Sequence, residues 1–314
     1  MSAAHRRCAV VGAANIDIGG FPSGVSVMGD SNPGRIRMSA GGVGRNIACT
    51  LARLGVETHL VTALGGDAFA EAIRADCRRA GVDLSHALVF EDAASSAYLF
   101  IADVAGDMQL AVNDMDICGR LTPEALACRL DLLNAMDAVV VDANLSEEAI
   151  AWLAAHVRAP LIADAVSTAK ARKLLPALKR LRAVKPNAIE ATALTGLPAH
   201  DRFSAQAAAA RLVAMGAGRA FVTLGERGVC CADAAHTAFL PGAPVQLVNA
   251  TGAGDAFTAA LAWAELQGLD LESSAAAGLA AAAIAVESAD TVSPHMSEAA
   301  LLRRMSALAP SDPE

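Results

Sequence analysis

Asp137 to Asp164 reads DAVVVDANLSEEAIAWLAAHVRAPLIAD. Two short apolar runs, DAVVVD and PLIAD, flank a helix candidate that begins near Ser146. A buried strand, a crossover helix and a second buried strand form the repeating unit of a parallel sheet. The same rhythm continues in both directions. Upstream lie RRCAVVG from Arg6 and ETHLVTAL from Glu57; downstream lie LRAVKP from Leu181 and RAFVTLG from Arg219. Further helix candidates begin near Gly44, Ala68, Pro123, Thr168, Asn187 and Ser204. The alternation predicts an α/β fold, a doubly wound and mostly parallel sheet flanked by helices. A chain of 314 residues can hold one continuous core of this kind, so a single domain over 1–314 is expected. Two segments break the rhythm. One is rich in Gly, Pro and Ser; the other, SSAYLFIAD followed by MQLAVND, suggests a hairpin around Gly106. Together, at about 18–40 and 94–115, they are read as a small β-structured lid.

Composition narrows the function. The chain is 54% hydrophobic and 18% charged, with a formal charge of −8 and only four lysines. Clustered cations drive nucleic-acid binding, so no nucleic-acid partner is expected. The opening residues lack a long apolar run and Ala275–Val286 is too short to span a bilayer, which predicts no membrane partner and a cytoplasmic location. Seven cysteines show no CxxC pair and no zinc-like spacing, as expected of reduced core thiols. The phosphate-binding GxxxxGK[ST] and GxGxxG loops are missing, as are HExxH and GxSxG.

Phosphate can instead be held at LVNATGAGDAF, Leu247–Phe257. Gly252, Ala253 and Gly254 offer unshielded backbone N–H groups at a helix N-terminus, whose partial charge favours an anion. Asp255 sits in the first turn, where the dipole is expected to keep it ionised and able to accept a proton from a hydroxyl. The alternative is that Thr251 caps the helix and Asp255 merely complements its dipole. In VVGAANIDIGG, Asn15 and Asp17 follow the first strand and point the same way, a grip suited to a sugar diol or a simple Asx turn. In SAGGVGRNIA, Gly41 and Gly42 bring backbone near a ligand and Asn46 projects from a helix start.

These residues resemble the ribokinase-like carbohydrate kinases of the PfkB family. The resemblance spans nearly the whole chain and rests on Gly41-Gly42-Val43-Gly44-Arg45-Asn46 and Ala250-Thr251-Gly252-Ala253-Gly254-Asp255. It implies ATP-dependent transfer to a primary hydroxyl, with Asp255 as base and Gly252–Gly254 as anion hole. It also implies that Asn15, Asp17, Gly41, Gly42 and Asn46 hold the sugar. VKPNAIEATALTG matches the family's Asn-x-x-Glu element, making Asn187 and Glu190 candidates for a magnesium, water and phosphate network; the same spacing is a capping box. TLGERG, with Thr223, Gly225 and Gly228, resembles the turn that lines the nucleotide site, to which Thr251 would also belong, or is an ordinary strand-to-strand turn. Many members carry Asp where this chain has Asn249, a position that helps bind an activating potassium. Within the family, SNPG, the NDM stretch and VVVDANLSEEAI resemble pseudouridine kinases. That implies a nucleoside substrate phosphorylated on its 5′-hydroxyl, with Asn113 or Asp114 facing the base or merely ending a lid strand. Ser31, Asn32 and Lys170 are further polar candidates. Lid strands with an exposed apolar face commonly pair between subunits, which predicts a homodimer through the lid.

Overall fold

The computed structural model describes residues 6–308. Its main sheet has nine strands in the spatial order Thr237–Pro241, Gly228–Ala232, Ala220–Thr223, Leu181–Lys185, Leu161–Asp164, Ala138–Asp142, Arg7–Val11, Glu57–Val61 and Val82–Asp83. The seven from 220–223 to 82–83 run parallel, and the first two are an antiparallel extension at one edge. The chain begins in the middle at 7–11, winds out to 82–83, then returns to 138–142 and winds the other way. The point where the order reverses lies between the carboxyl ends of 7–11 and 138–142, the usual place for a ligand in an open α/β sheet.

Both sheet faces are buried, which explains why the strands read as continuous apolar runs. Alanine-rich helices Ala253–Gln267 and Leu271–Val286 pack closely on one face. Gly278 touches the ring of Phe257 so closely that a Cβ there would overlap it. Of the seven cysteines, all but Cys128 are buried and none is bonded to another. Among the described residues, no helix is long and apolar enough to cross a membrane.

The segments read as a lid form a second sheet of four strands, ordered Gly34–Gly41, Asn15–Pro22, Ala97–Ala102 and Met108–Asp114. Its hairpin turns through Gly106 at φ 93°. Asn15 and Asp17 lie on an extended segment as the sequence suggested, not in an Asx turn; they open a strand of this second sheet that starts after a three-residue gap beyond the first strand. The pleat sorts the lid's side chains. Register places Asp17, Ser39, Tyr98 and Asn113 in one row on one face. On the other face, Ile36, Met38, Leu99, Leu110 and Val112 are exposed.

Candidate active site

Ala253–Gln267 begins differently from most helices of the chain. Its N-cap is Gly252, in the left-handed region at φ 86°, and no side chain caps it. Thr251 is exposed and does not cap the helix, contrary to one sequence reading. The first ladder bond runs from Ala256 N–H to Gly252 O at 2.9 Å, while Ala253 N–H makes only a 3.5 Å contact with Ala250 O. The N–H groups of Gly254 and Asp255 therefore precede the ladder, leaving donors and a positive helix end directed out of the turn.

Asp255 stands in that same turn. Asn46, near the start of helix Val43–Arg53, donates from Nδ2 to Asp255 Oδ2 at 2.8 Å. Arg45 orients this amide: its guanidinium donates to Asn46 Oδ1 at 2.9 Å, and pairs with Asp76. With its oxygen held by Arg45, the Asn46 amide must present its N–H to Asp255. Burial pushes the Asp255 carboxyl up to about 7, and Asp164 adds to the shift; Asn46 and Lys185 oppose it. The expected effect of the dipole is thus outweighed by desolvation, and the group titrates near neutrality. A carboxylate there is a stronger base than one at its ordinary value.

Beneath this turn lies a charged row that sequence reasoning missed. Asp142, Asp164 and Lys185 end three neighbouring strands and are in register. Lys185, 5% exposed, donates to Asp164 Oδ2 at 3.0 Å and to Gly254 O at 3.2 Å. Thr258 donates to Asp164 Oδ2 at 2.5 Å. A Cβ at Gly254 would come within 2.9 Å of Lys185 Nζ, so this glycine makes room for an ammonium as well as for a ligand. Asp142 accepts from Ala13 N–H at 2.9 Å, and its carboxyl is pushed up to about 6 by burial. The signal was present in VVVD, LIAD and RAVK: three apolar strands that each end in a charge.

Asn15 and Asp17 come together, the amide donating to Asp17 Oδ1 at 2.7 Å. Burial raises the Asp17 carboxyl above its ordinary value. Gly41 lies against the Asp17 carboxylate, where a side chain would collide. Gly42, at φ 95°, packs on Ala13 and Ala14, where a Cβ would sit 2.6 Å from the Ala13 carbonyl oxygen. Gly42 is therefore required by the protein's own packing, not only by approach to a ligand, whereas the space at Gly41 is occupied by the end of the Asp17 side chain. Asn113 shares the face of Asp17, whereas Asp114 points to the opposite one and lines a recess of about 300 Å³ with Asp116 and Arg120. Asn32 is engaged locally with Val27, Ser31 is exposed beside it, and Lys170 donates to Asn144.

Residues 5–298 match the model of the pfkB family carbohydrate kinases. The chain belongs to that family. It is 33% identical over 292 residues to the pseudouridine kinase of Escherichia coli, a match covering 92% of this chain and 93% of that protein. It is also 36% identical to an uncharacterized sugar kinase of the same organism, over 92% of this chain and 81% of the other. Among solved structures, the ribokinase of Arabidopsis thaliana complexed with ribose and ATP superposes with a TM-score of 0.87 at 23% identity, covering 96% of this chain and 98% of that one. The fold is therefore ribokinase-like, and the protein is a phosphotransferase with an alcohol acceptor.

The family's Asn-x-x-Glu element forms a complete capping box here. Asn187 Oδ1 accepts from the N–H groups of Ile189 and Glu190 at 2.9 Å each, and Glu190 Oε2 accepts from Asn187 N–H at 2.8 Å. Glu190 is 4% exposed and burial raises its carboxyl. Asn187 bridges to Thr223, whose N–H donates to Pro186 O at 3.0 Å, so the turn at 223–228 continues the charged edge. Within it Gly225 and Gly228 shape a hairpin into the antiparallel edge. Asn249 has both ends of its amide in use: Oδ1 accepts from Thr251 N–H at 2.9 Å and Nδ2 donates to Ala289 O at 3.1 Å.

Proposed function

We propose that the protein transfers the γ-phosphoryl group of ATP to the 5′-hydroxyl of a nucleoside, with pseudouridine as the substrate. One observation carries the catalytic part: a single helical turn holds both a carboxylate that titrates near 7 and the backbone donors that precede the ladder. Asp255 takes the proton of the hydroxyl as its oxygen bonds to the γ-phosphorus, and the bond to the departing ADP breaks. The N–H groups from Gly252 to Asp255 meet the negative charge of the migrating group. Phosphoryl transfer relies chiefly on alignment and charge stabilisation, so such a site suffices.

Asp17 accepts hydrogen bonds from the ribose hydroxyls, and Asn15, Gly41, Gly42 and Asn46 shape that side. The edge formed by Asn187, Thr223, Gly225, Gly228 and Thr251 takes the nucleotide. Magnesium usually keeps several waters and binds through one or two carboxylates together with phosphates. Glu190 fits that pattern through water, with Oε2 committed to the capping box; the ion supplies charge neutralisation on the phosphates. The residues give potassium weak support: Asn249 contributes no charge and its amide oxygen accepts from Thr251 N–H, so a monovalent ion would rest on backbone carbonyls or have no site.

The curated E. coli relative and the lid stretches support pseudouridine. That base presents an N1–H which uridine lacks; Asn113 shares the Asp17 face of the lid, which supports it as the acceptor. A sugar kinase is the second reading, favoured by the 36% identical relative. The exposed apolar row Ile36, Met38, Leu110 and Val112 supports a homodimer through the lid. An ADP-release assay with ATP and magnesium against pseudouridine, uridine, cytidine, guanosine and ribose tests the assignment. The expected result is a kcat/KM for pseudouridine at least about 100-fold above uridine. Equal values, or a preference for free ribose, overturn it.

A further inference from the structure

Five ionisable side chains from five elements converge below the turn that carries Asp255. Asp142 ends strand 138–142, Asp164 ends 161–164 and Lys185 ends 181–185; Glu190 comes from helix 188–195 and Asp255 from helix 253–267. Lys170 and Lys173 lie at the far side, beside Asn144 and the backbone of Ala143 and Leu145. Lys185 is the buried cation among four carboxyl groups. Burial opposes its charge, yet Asp164 beside it holds the ammonium above the ordinary lysine range.

Its second partner gives it a role beyond charge balance. The Gly254 carbonyl belongs to the peptide whose N–H is that of Asp255, and a trans peptide points the two groups in opposite directions. An ammonium 3.2 Å from that oxygen, with Thr258 Oγ1 also 3.2 Å away, fixes the peptide plane from below. It also polarises the peptide, making the N–H on the other side a stronger donor. On the basis of the function proposed above, we infer that Lys185 is a positioning residue: through the Gly254 carbonyl it aims the amide that meets the migrating phosphoryl group, and it supplies the positive charge beside which Asp255 works. Asp164 and Thr258 hold it there. It touches neither substrate in this role.

A merely structural lysine predicts a different pattern. If Lys185 only neutralises Asp164, removing both charges together leaves turnover intact in the folded protein, because a buried pair replaced by neutral groups of similar volume is commonly tolerated. The test is therefore the pair variant Lys185→Met with Asp164→Asn, checked for folding by circular dichroism and assayed with pseudouridine and ATP. We expect kcat to fall about 10- to 100-fold, with KM for the nucleoside changed less than about threefold, since the lost interaction is made in the transition state. The single variant Lys185→Met adds a second readout. The acid limb of its kcat/KM profile should lie above that of the wild type measured alongside, because Asp164 then faces Asp255 uncompensated. Unchanged kcat in the folded pair variant overturns the inference. Asp255→Asn separates this from failure of the underlying reading: if that variant turns over normally, the base assignment falls; if it is inactive while the pair variant is fully active, only the role of Lys185 falls.

Discussion

The charged edge of the main sheet and the lid sheet meet around the same site, yet they are built in opposite ways. At the edge, Asp142, Asp164 and Lys185 are buried, in register and hydrogen-bonded to backbone or to one another. In the lid, Asn113 and Asp114 are exposed, and five large apolar side chains of the outer face are exposed as well. Desolvated charges held by several elements cannot shift without leaving a partner unpaired, so the edge is organised before any ligand arrives. A four-stranded sheet wet on both sides has no such constraint. On the function proposed above, the comparison assigns rate to the edge and selectivity to the lid, which makes the two separable by mutation.

The largest effect should follow from disturbing the edge. Asp255→Asn is expected to lower kcat by about 1,000-fold or more while the nucleoside dissociation constant, measured calorimetrically, stays within about threefold. The same variant tests the carboxyl's raised pKa through stability. A carboxyl raised from 3.8 to about 7 binds more protons folded than unfolded between those values, so its ionisation lowers stability as pH rises through that window. Asp255→Asn should melt about 1–3 °C higher than wild type at pH 8, with the gap closing towards pH 4. A gap that is constant with pH would remove the shift.

An intermediate effect belongs to the lid. Asn113→Ala should reduce kcat/KM for pseudouridine about tenfold while uridine changes little, because a base donor loses its acceptor. Asp114→Ala, on the opposite face, serves as the comparison and should leave the ratio unchanged. If Asp114→Ala alters selectivity and Asn113→Ala does not, the face assignment is reversed. The smallest effect concerns monovalent ions. With the Asn249 amide satisfied by Thr251 and Ala289, replacing potassium by sodium or choline should change kcat/KM less than about twofold, as read in the same ADP-release assay.

How much of this could be read from the chain depended on burial. The parallel strands were legible because both sheet faces are covered, which forces runs such as AVVVD and LIAD. The antiparallel edge, Gly228–Ala232 and Thr237–Pro241, was harder to see: GVCCA looks like a core strand, and the partner TAFLP is only partly buried. The short parallel pair Ala63–Gly65 and Leu88–Phe90 is not resolved in the sequence: Ala63 and Leu64 read as the end of the run from Glu57, and three residues give no periodicity of their own. At the site, Asn46 and Asp255 stood out through their flanking glycines, although they are 209 positions apart. Arg45 and Lys185 did not. Their importance comes from which oxygen each one holds, and no spacing along the chain encodes that. Asn187 and Glu190 illustrate the converse: one spacing fits both a helix cap, which the structure forms, and the phosphate-side role proposed above.

The aligned charges at the ends of strands 138–142, 161–164 and 181–185 bear on assembly as well as chemistry. Sliding any one of these strands by a single residue would turn its terminal charge to the other side of the sheet, into aliphatic packing. Lys185 would then be stranded without Asp164, a penalty of several kcal/mol for each isolated ion. A mispaired sheet would be disfavoured for that reason, and the row of charges beneath the proposed site doubles as an alignment mark for the centre of the molecule.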